Sequence, residues 1–156
     1  MIDLLITNGF VVDGSGKAGY QADVAVSGDK IIDVGDLGHA EAARTIDATG
    51  MVVSPGFIDI HTHSDLSLMV EPVGMSKVSQ GVTTEVTGNC GYSPFPVHPD
   101  GAGPLREMMS GLYSEEVDWA WSDLDGYRQF AAQNGLGMNI APLVGHSAIR
   151  GAVVGR

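Results

Sequence analysis

The chain has 156 residues, of which 44% are hydrophobic and 17% are charged, a composition typical of a globular protein rather than a disordered one. Its formal net charge of −11 argues against a nucleic-acid partner and against an anionic membrane surface. The single cysteine, Cys90, excludes an intramolecular disulfide and favours a reducing compartment. Because the first residues carry neither a basic segment nor a long apolar run, we expect no signal peptide, no membrane span and a cytoplasmic location.

Residues 1–51 predict a small domain of short β-strands. Asn8-Gly9 lies between two apolar runs and predicts a hairpin turn. Residues 27–30 separate two further apolar runs and predict a second hairpin. The expected strands lie at residues 4–7, 10–13, 22–26, 31–34 and 45–48.

Residues 52–60 predict a buried strand that leads into two histidines, His61 and His63. Side chains alternate along a strand, so we expect these two imidazoles to point the same way. Paired imidazoles suit a divalent metal ion, although a bare pair with this spacing is also common on protein surfaces. The carboxyl end of a strand is where α/β barrels keep their chemistry, and this position favours the metal.

Residues 66–70 and 73–78 predict short helical pieces interrupted at Pro72. Residues 82–87, rich in β-branched side chains, predict a second strand. Cys90 follows that strand, so parallel strands would place it beside His61 and His63. A thiolate is a soft ligand that favours zinc. The alternatives for Cys90 are a small buried apolar residue or, less favoured, a nucleophile activated by His146.

The last third of the chain predicts a loop at residues 92–103, a helix from Pro104, a helix with a capping box at residues 122–125, and a third strand at residues 138–144. His98 is expected on the loop surface. His146 follows the third strand, which leaves open whether it lies near the site, and direct binding of metal is its less favoured role. Residues 151–156 show no evident terminal element.

Three segments resemble a known family. Residues 55–63, PGFIDIHTH, are similar to the opening signature of the amidohydrolase superfamily. Residues 80–94 and 143–150 resemble a narrower branch, the N-acyl-D-amino-acid deacylases or D-aminoacylases. The resemblance implies an α/β fold, with the N-terminal part of a small β-sandwich in residues 1–51 and the first βα units, about three, of a (β/α)8 barrel in residues 52–156. Such a barrel needs about 250 residues, so we expect an incomplete, truncated barrel.

The resemblance also implies a reaction, the zinc-dependent hydrolysis of the amide bond of small-molecule N-acyl-D-amino acids. In the family the matching cysteine binds zinc (Zn2+) and the paired histidines hold a second metal position, so the implied metal ligands are His61, His63 and Cys90. The family's base and remaining ligands lie on later strands, so no catalytic base and no further cofactor-binding residue is assigned. Asp65 is interpreted as supporting the ligands or capping a helix. The chain alone is expected to be inactive and to associate with itself or with the missing segments.

Two other functions remain open. The first keeps the superfamily and changes the substrate to a cyclic amide, as in hydantoinases and dihydroorotases, which usually carry a carboxylated lysine on a later strand. The second is a non-catalytic metal-binding or assembly fragment. A single-chain native mass without hydrolysis of N-acetyl-D-methionine would favour the fragment.

Overall fold

The computed structural model describes residues 1–112 and 117–155 of the chain, so Arg156, the last residue of the expected barrel portion, lies outside the described residues. The chain divides into two compact units, Met1–Pro55 and Gly56–Arg156. This division lies near the boundary expected after residue 51, and the domain assignments themselves stay predictions. None of the described helices is long and apolar enough to cross a membrane.

The first unit is a five-stranded sheet in the order β3-β2-β1-β4, with β5 also paired to β1. Its strands are β1 (Ile2–Val11), β2 (Tyr20–Ser27), β3 (Lys30–Gly35), β4 (Ala42–Asp47) and β5 (Val52–Val53). The first three strands are antiparallel neighbours, whereas β4 and β5 run parallel to β1. The hairpin predicted at residues 27–30 is confirmed by β2 and β3. Residues 1–55 form one sheet, and the predicted sandwich stays a prediction.

The hairpin predicted at Asn8-Gly9 is wrong, because β1 continues through both residues with a register shift against β2. Asn8 takes a left-handed conformation, with φ of 59°. Its backbone N–H donates to Asp23 Oδ1 at 2.8 Å, and its side-chain amide donates to Asp47 Oδ1 at 3.0 Å. A Cβ at Gly9 would lie 2.5 Å from Val53 Cγ2. The Asn-Gly pair therefore makes an irregularity inside a strand, stabilised by contacts distant in sequence.

The second unit has a parallel sheet in the order β6-β7-β8, three-stranded within the described residues, and two helices connect each strand to the next. Parallel strands need such crossovers, so this unit is α/β as expected. The elements are β6 (Phe57–Asp59), α1 (Ser67–Val70), α2 (Met75–Val78), β7 (Val82–Thr87), α3 (Gly103–Met109), α4 (Leu124–Asn134), β8 (Asn139–Pro142) and α5 (His146–Val154). The second predicted strand and the helical pieces around Pro72 are confirmed, while closure into a barrel stays a prediction.

The single strand predicted at residues 52–60 is instead two short strands, β5 and β6, which belong to different sheets. Residues 54–56, Ser-Pro-Gly, separate them. Proline lacks the N–H that a central strand needs. A Cβ at Gly56 would lie 2.1 Å from Thr83 Oγ1, so the chain just before β6 lies too close to β7 for a side chain. The apolar run therefore joins two units of the chain.

Two local predictions about helices are also wrong. The end of the described chain is the helix α5, although residues 151–156 showed no terminal element. Residues 151–154 of α5 include one glycine and two valines, which are weak helix formers. Packing of the buried Ala148 outweighs this weak propensity. The cap of α4 is Asp123 rather than Ser122: its Oδ1 accepts from Gly126 N at 2.9 Å. Asp125 binds Arg128 instead of closing a capping box.

Aromatic side chains make much of the core of the second unit. The rings of Trp121 and Tyr127 meet edge to face with centroids 5.3 Å apart, and those of Phe95 and Tyr127 are 5.1 Å apart. The indole N–H of Trp121 donates to Pro94 O at 2.8 Å, so its burial leaves no unpaired donor. Trp121 is therefore a packing residue of this core.

Replacing Tyr127 with phenylalanine is expected to lower the free energy of unfolding by about 1–2 kcal/mol. The Tyr127 hydroxyl is buried and donates to the backbone oxygen of Asp65 at 2.7 Å, so its removal leaves that acceptor unpaired. Urea unfolding followed by tryptophan fluorescence measures the change. Tyr20→Phe, at a tyrosine that is 43% exposed, is the control and should change stability by less than about 0.5 kcal/mol. Equal effects of the two substitutions would contradict the role of this hydrogen bond.

Candidate metal centre

The candidate site lies where β6 and β7 end. These strands are parallel neighbours, and Asp59 near the end of β6 pairs with Glu85 in β7. Their carboxyl ends therefore meet, and the residues that follow each strand come together. His61 and His63 lie just after β6 in irregular backbone, not within the strand, and Cys90 lies in a short 3-10 turn after β7. The structure brings these three predicted residues into one cluster, with potential ligand atoms that all lie within 4.8 Å of one another.

The tightest contact in the cluster is between His61 Nε2 and Cys90 Sγ, which lie 3.2 Å apart. Two such ligands of one tetrahedral zinc ion would be about 3.6 Å apart, so a small movement would accommodate an ion. The imidazole rings of His61 and His63 meet at 69° with centroids 5.6 Å apart. Nδ1 of His63 is buried and has no hydrogen-bond partner in the described part of the chain. An orphaned imidazole nitrogen beside a thiol and a second imidazole is a donor set that fits zinc.

The backbone at Cys90 is unusual, because this non-glycine residue has a φ of +56°. Such a conformation costs about 1–3 kcal/mol and persists only where the surroundings enforce it. Gly88 and Gly91 on either side also have positive φ, of 76° and 82°. A Cβ at Gly88 would lie 2.1 Å from the backbone oxygen of Leu143, so the turn packs directly against the end of β8. The flanking glycines seen in the sequence therefore make the turn that presents the thiol.

Among residues 1–112 and 117–155, no histidine other than His61 and His63 belongs to this cluster. His98 accepts a hydrogen bond at Nδ1 from the backbone N–H of Asp100 at 3.1 Å, and it lines a cavity of about 220 Å³ beside α3 and α5. His146 is the first residue of α5 rather than the end of a strand. If Cys90 were a nucleophile, the base expected from the sequence would be His146. In the structure the imidazole that contacts the Cys90 thiol is instead that of His61.

Asp65 does not cap a helix, so that part of its interpretation is wrong. The capping position before α1 is Leu66, and no side chain caps this helix. The Asp65 side chain is 0% exposed, and burial raises the pKa of its carboxyl to about 6. This carboxyl is therefore inaccessible to solvent in the structure.

An ion-paired group next to the site was missed by sequence reasoning. Lys77 Nζ lies 2.6 Å from Asp59 Oδ2 and 3.5 Å from Glu85 Oε1, and Glu85 is 0% exposed. The hydrogen bond from Lys77 lowers the pKa of Asp59, and the same bond raises the pKa of Lys77. The other oxygen of Asp59 accepts from the backbone N–H of His61 at 3.2 Å, so the group is tied to the histidine segment. The position of Asp59 two residues before His61 was the available signal.

The α/β unit and its strand-end cluster belong to a recognised class. Residues 44–155 match the model of the amidohydrolase family, and the chain belongs to that family. It is similar to the D-aminoacylase of Alcaligenes xylosoxydans xylosoxydans, with 42% identity over 156 residues that cover 97% of this chain and 31% of that relative. The chain thus spans about a third of the length of this curated relative. The predicted resemblance to the amidohydrolases and their deacylase branch is confirmed.

Solved structures agree with this relationship. The crystal structure of a D-aminoacylase matches with a TM-score of 0.86 and 41% identity, covering 100% of this chain and 32% of that one. The N-acyl-D-glutamate deacylase from Bordetella bronchiseptica, solved in complex with zinc and a phosphonate inhibitor, matches with a TM-score of 0.83 and 36% identity over 96% of this chain and 30% of that one. The second of these relatives holds metal in its solved structure.

Proposed function

We propose that the chain is the N-terminal part of a zinc-dependent hydrolase that cleaves the amide bond of N-acyl-D-amino acids. The observation that carries this proposal is the convergence of His61, His63 and Cys90, with ligand atoms within 4.8 Å of one another. The similarity to D-aminoacylase over nearly the whole chain supports the substrate class. In this proposal residues 52–156 form the first βα units of a (β/α)8 barrel, whose remaining units complete the site.

His61, His63 and Cys90 are the residues that would hold zinc. Bound zinc supplies Lewis-acid polarisation of the substrate carbonyl and activation of water. The residues of this chain hold the ligands in place: Asp59 accepts from the backbone N–H of His61, and the glycine-flanked turn presents the Cys90 thiol. The three acids near the cluster are not available as a general base, since Asp59 is bonded to Lys77, and Asp65 and Glu85 are buried. We therefore place the base outside this chain.

Replacing Cys90 with alanine is expected to weaken zinc binding to the purified chain at least about tenfold, since the site loses its softest donor. Titration calorimetry, with a competing chelator where binding is tight, measures the affinity. The matched control is His98→Ala, which removes an imidazole from the same unit but outside the cluster. The affinity of that variant should stay within about twofold of the original chain. Equal losses in both variants, or undiminished zinc binding without Cys90, would refute the ligand assignment.

A further inference from the structure

We propose that Asn89 is a positioning residue that fixes the Cys90 turn to the histidine segment and so sets the thiol within reach of the metal. The inference rests on the zinc site proposed above and assigns a role to a residue that binds no metal itself. It is carried by the hydrogen bonds of one side-chain amide, which joins the backbone of both segments that supply ligands.

The amide nitrogen of Asn89 donates to two backbone oxygens. One belongs to Val86 in β7 at 2.8 Å, and the other belongs to Thr62 at 3.3 Å. Thr62 lies between His61 and His63 and is 4% exposed. Its backbone N–H and its hydroxyl both donate to Val86 O, each at 3.2 Å. Asn89 and Thr62 thus form a compact bracket of backbone and side-chain bonds immediately behind the three ligands.

The position of the thiol depends on such a bracket because the backbone at Cys90 is strained. On one side the turn is packed against the end of β8: Leu143 N–H donates to Thr87 O at 3.0 Å, and Gly88 leaves no room for a side chain. These contacts fix the turn relative to β8. Asn89 supplies the connection in the opposite direction, toward the residue between the two histidines. It therefore determines how far Cys90 lies from His61.

An amide at this position has a specific chemical requirement. Both of its N–H groups are used on carbonyl oxygens, so the role needs a donor of this size. Aspartate has the same shape but no donor, and it would direct one carboxylate oxygen at both carbonyl oxygens. Asn89→Asp therefore removes the bracket with little change in volume. Asn139 provides the control, because its amide also donates to a backbone oxygen of another segment, Thr83 O at 3.2 Å, away from the ligands.

The test uses cobalt(II) in place of zinc, because a cobalt–thiolate bond gives a near-ultraviolet charge-transfer absorption that reports Cys90 directly. The purified chain should show this band on titration with cobalt(II). Asn89→Asp should weaken cobalt affinity at least about tenfold and reduce the band per bound ion at saturation. Asn139→Asp should leave both quantities unchanged. Thermal unfolding of the metal-free proteins is measured in parallel, since a purely structural role would lower the melting temperature without altering the band of the folded, metal-bound protein.

The outcomes separate this inference from the proposed zinc site. Absence of the charge-transfer band in the unaltered chain would overturn the zinc site, and the role of Asn89 with it. A normal band with unchanged affinity in Asn89→Asp would overturn only the role of Asn89. Should Asn89→Asp fail to fold, Asn89→Ser is measured in the same way, and a folded serine variant with an unaltered band and affinity would also refute the inference.

Discussion

Replacing Lys77 with methionine is expected to lower the free energy of unfolding by about 2–3 kcal/mol. Glu85 is 0% exposed, and its charged neighbour in the structure is Lys77 Nζ at 3.5 Å. Methionine keeps the aliphatic stem and removes the charge, so the Glu85 carboxylate loses its compensating cation inside the fold. Breaking a fully buried ion pair typically costs about 3–5 kcal/mol. The loss expected here is on the order of two-thirds of that, because Lys77 and Asp59 are each 30% exposed and water screens their interaction.

Trp121 is buried in the same unit, so urea unfolding followed by its fluorescence reports the relevant transition. Arg150→Met is the control, because it removes a positive charge from an exposed position of this unit. That variant should change stability by less than about 0.5 kcal/mol. The double variant Lys77→Met/Glu85→Gln should regain about half of the loss or more, since a neutral amide is cheaper to bury than a carboxylate. Unchanged stability of Lys77→Met, or no recovery in the double variant, would show that the pair does not stabilise the fold.

The parts of the fold that the sequence predicted well are those governed by local pattern. β7 is a run of six residues rich in valine and threonine, and it forms where β-branched content predicted a strand. The hairpin between β2 and β3 follows from the turn residues around Gly28, whose φ is 59°. The convergence of His61, His63 and Cys90 followed from two parallel strands that end side by side. In each case neighbouring residues and strand direction suffice.

The parts that the sequence did not predict depend on contacts between distant residues. Asn8-Gly9 is a strong hairpin signal, yet Asp23 and Asp47 stabilise it inside a strand. Helix α5 continues through Gly151, Val153 and Val154, which are weak helix formers, and its buried Ala148 packs into the core. The hydrogen bond from Asn89 to the backbone oxygen of Thr62 joins residues 27 positions apart. Every residue has such an oxygen, so the pattern of side chains in the sequence does not predict this bond. Pattern therefore locates the candidate ligands, while the hydrogen-bonded groups around them emerge only from the folded chain.

The purified 156-residue chain is expected to hydrolyse N-acetyl-D-methionine no faster than buffer. Its cluster offers three candidate ligands among the described residues, one fewer than a closed tetrahedral zinc site. Of the neighbouring acids, Asp59 is bonded to Lys77, and Asp65 and Glu85 are buried. A positioned general base alone contributes a rate factor of about 10²–10⁴. Apolar residues of the β6 segment are exposed, with Phe57 at 60%, Ile58 at 63% and Ile60 at 73%, and the further strands of the proposed barrel would cover them. We expect the chain to associate through such surfaces, which sedimentation measures.

Joining residues 1–155 to the C-terminal remainder of the Alcaligenes D-aminoacylase should yield metal-dependent deacylation, because that remainder supplies the part of a 42% identical relative that this chain does not span. Cys90→Ala in this hybrid should reduce kcat/KM at least about a hundredfold, whereas His98→Ala should leave it within about threefold. A parallel hybrid with the remainder of a dihydroorotase should stay inactive toward cyclic amides; activity there and not in the first hybrid would favour the cyclic-amide alternative. A folded, metal-loaded but inactive first hybrid would count against the deacylase assignment. Zinc-dependent deacylation by the 156-residue chain itself, unaffected by Cys90→Ala, would refute both the need for further strands and the role of the thiol.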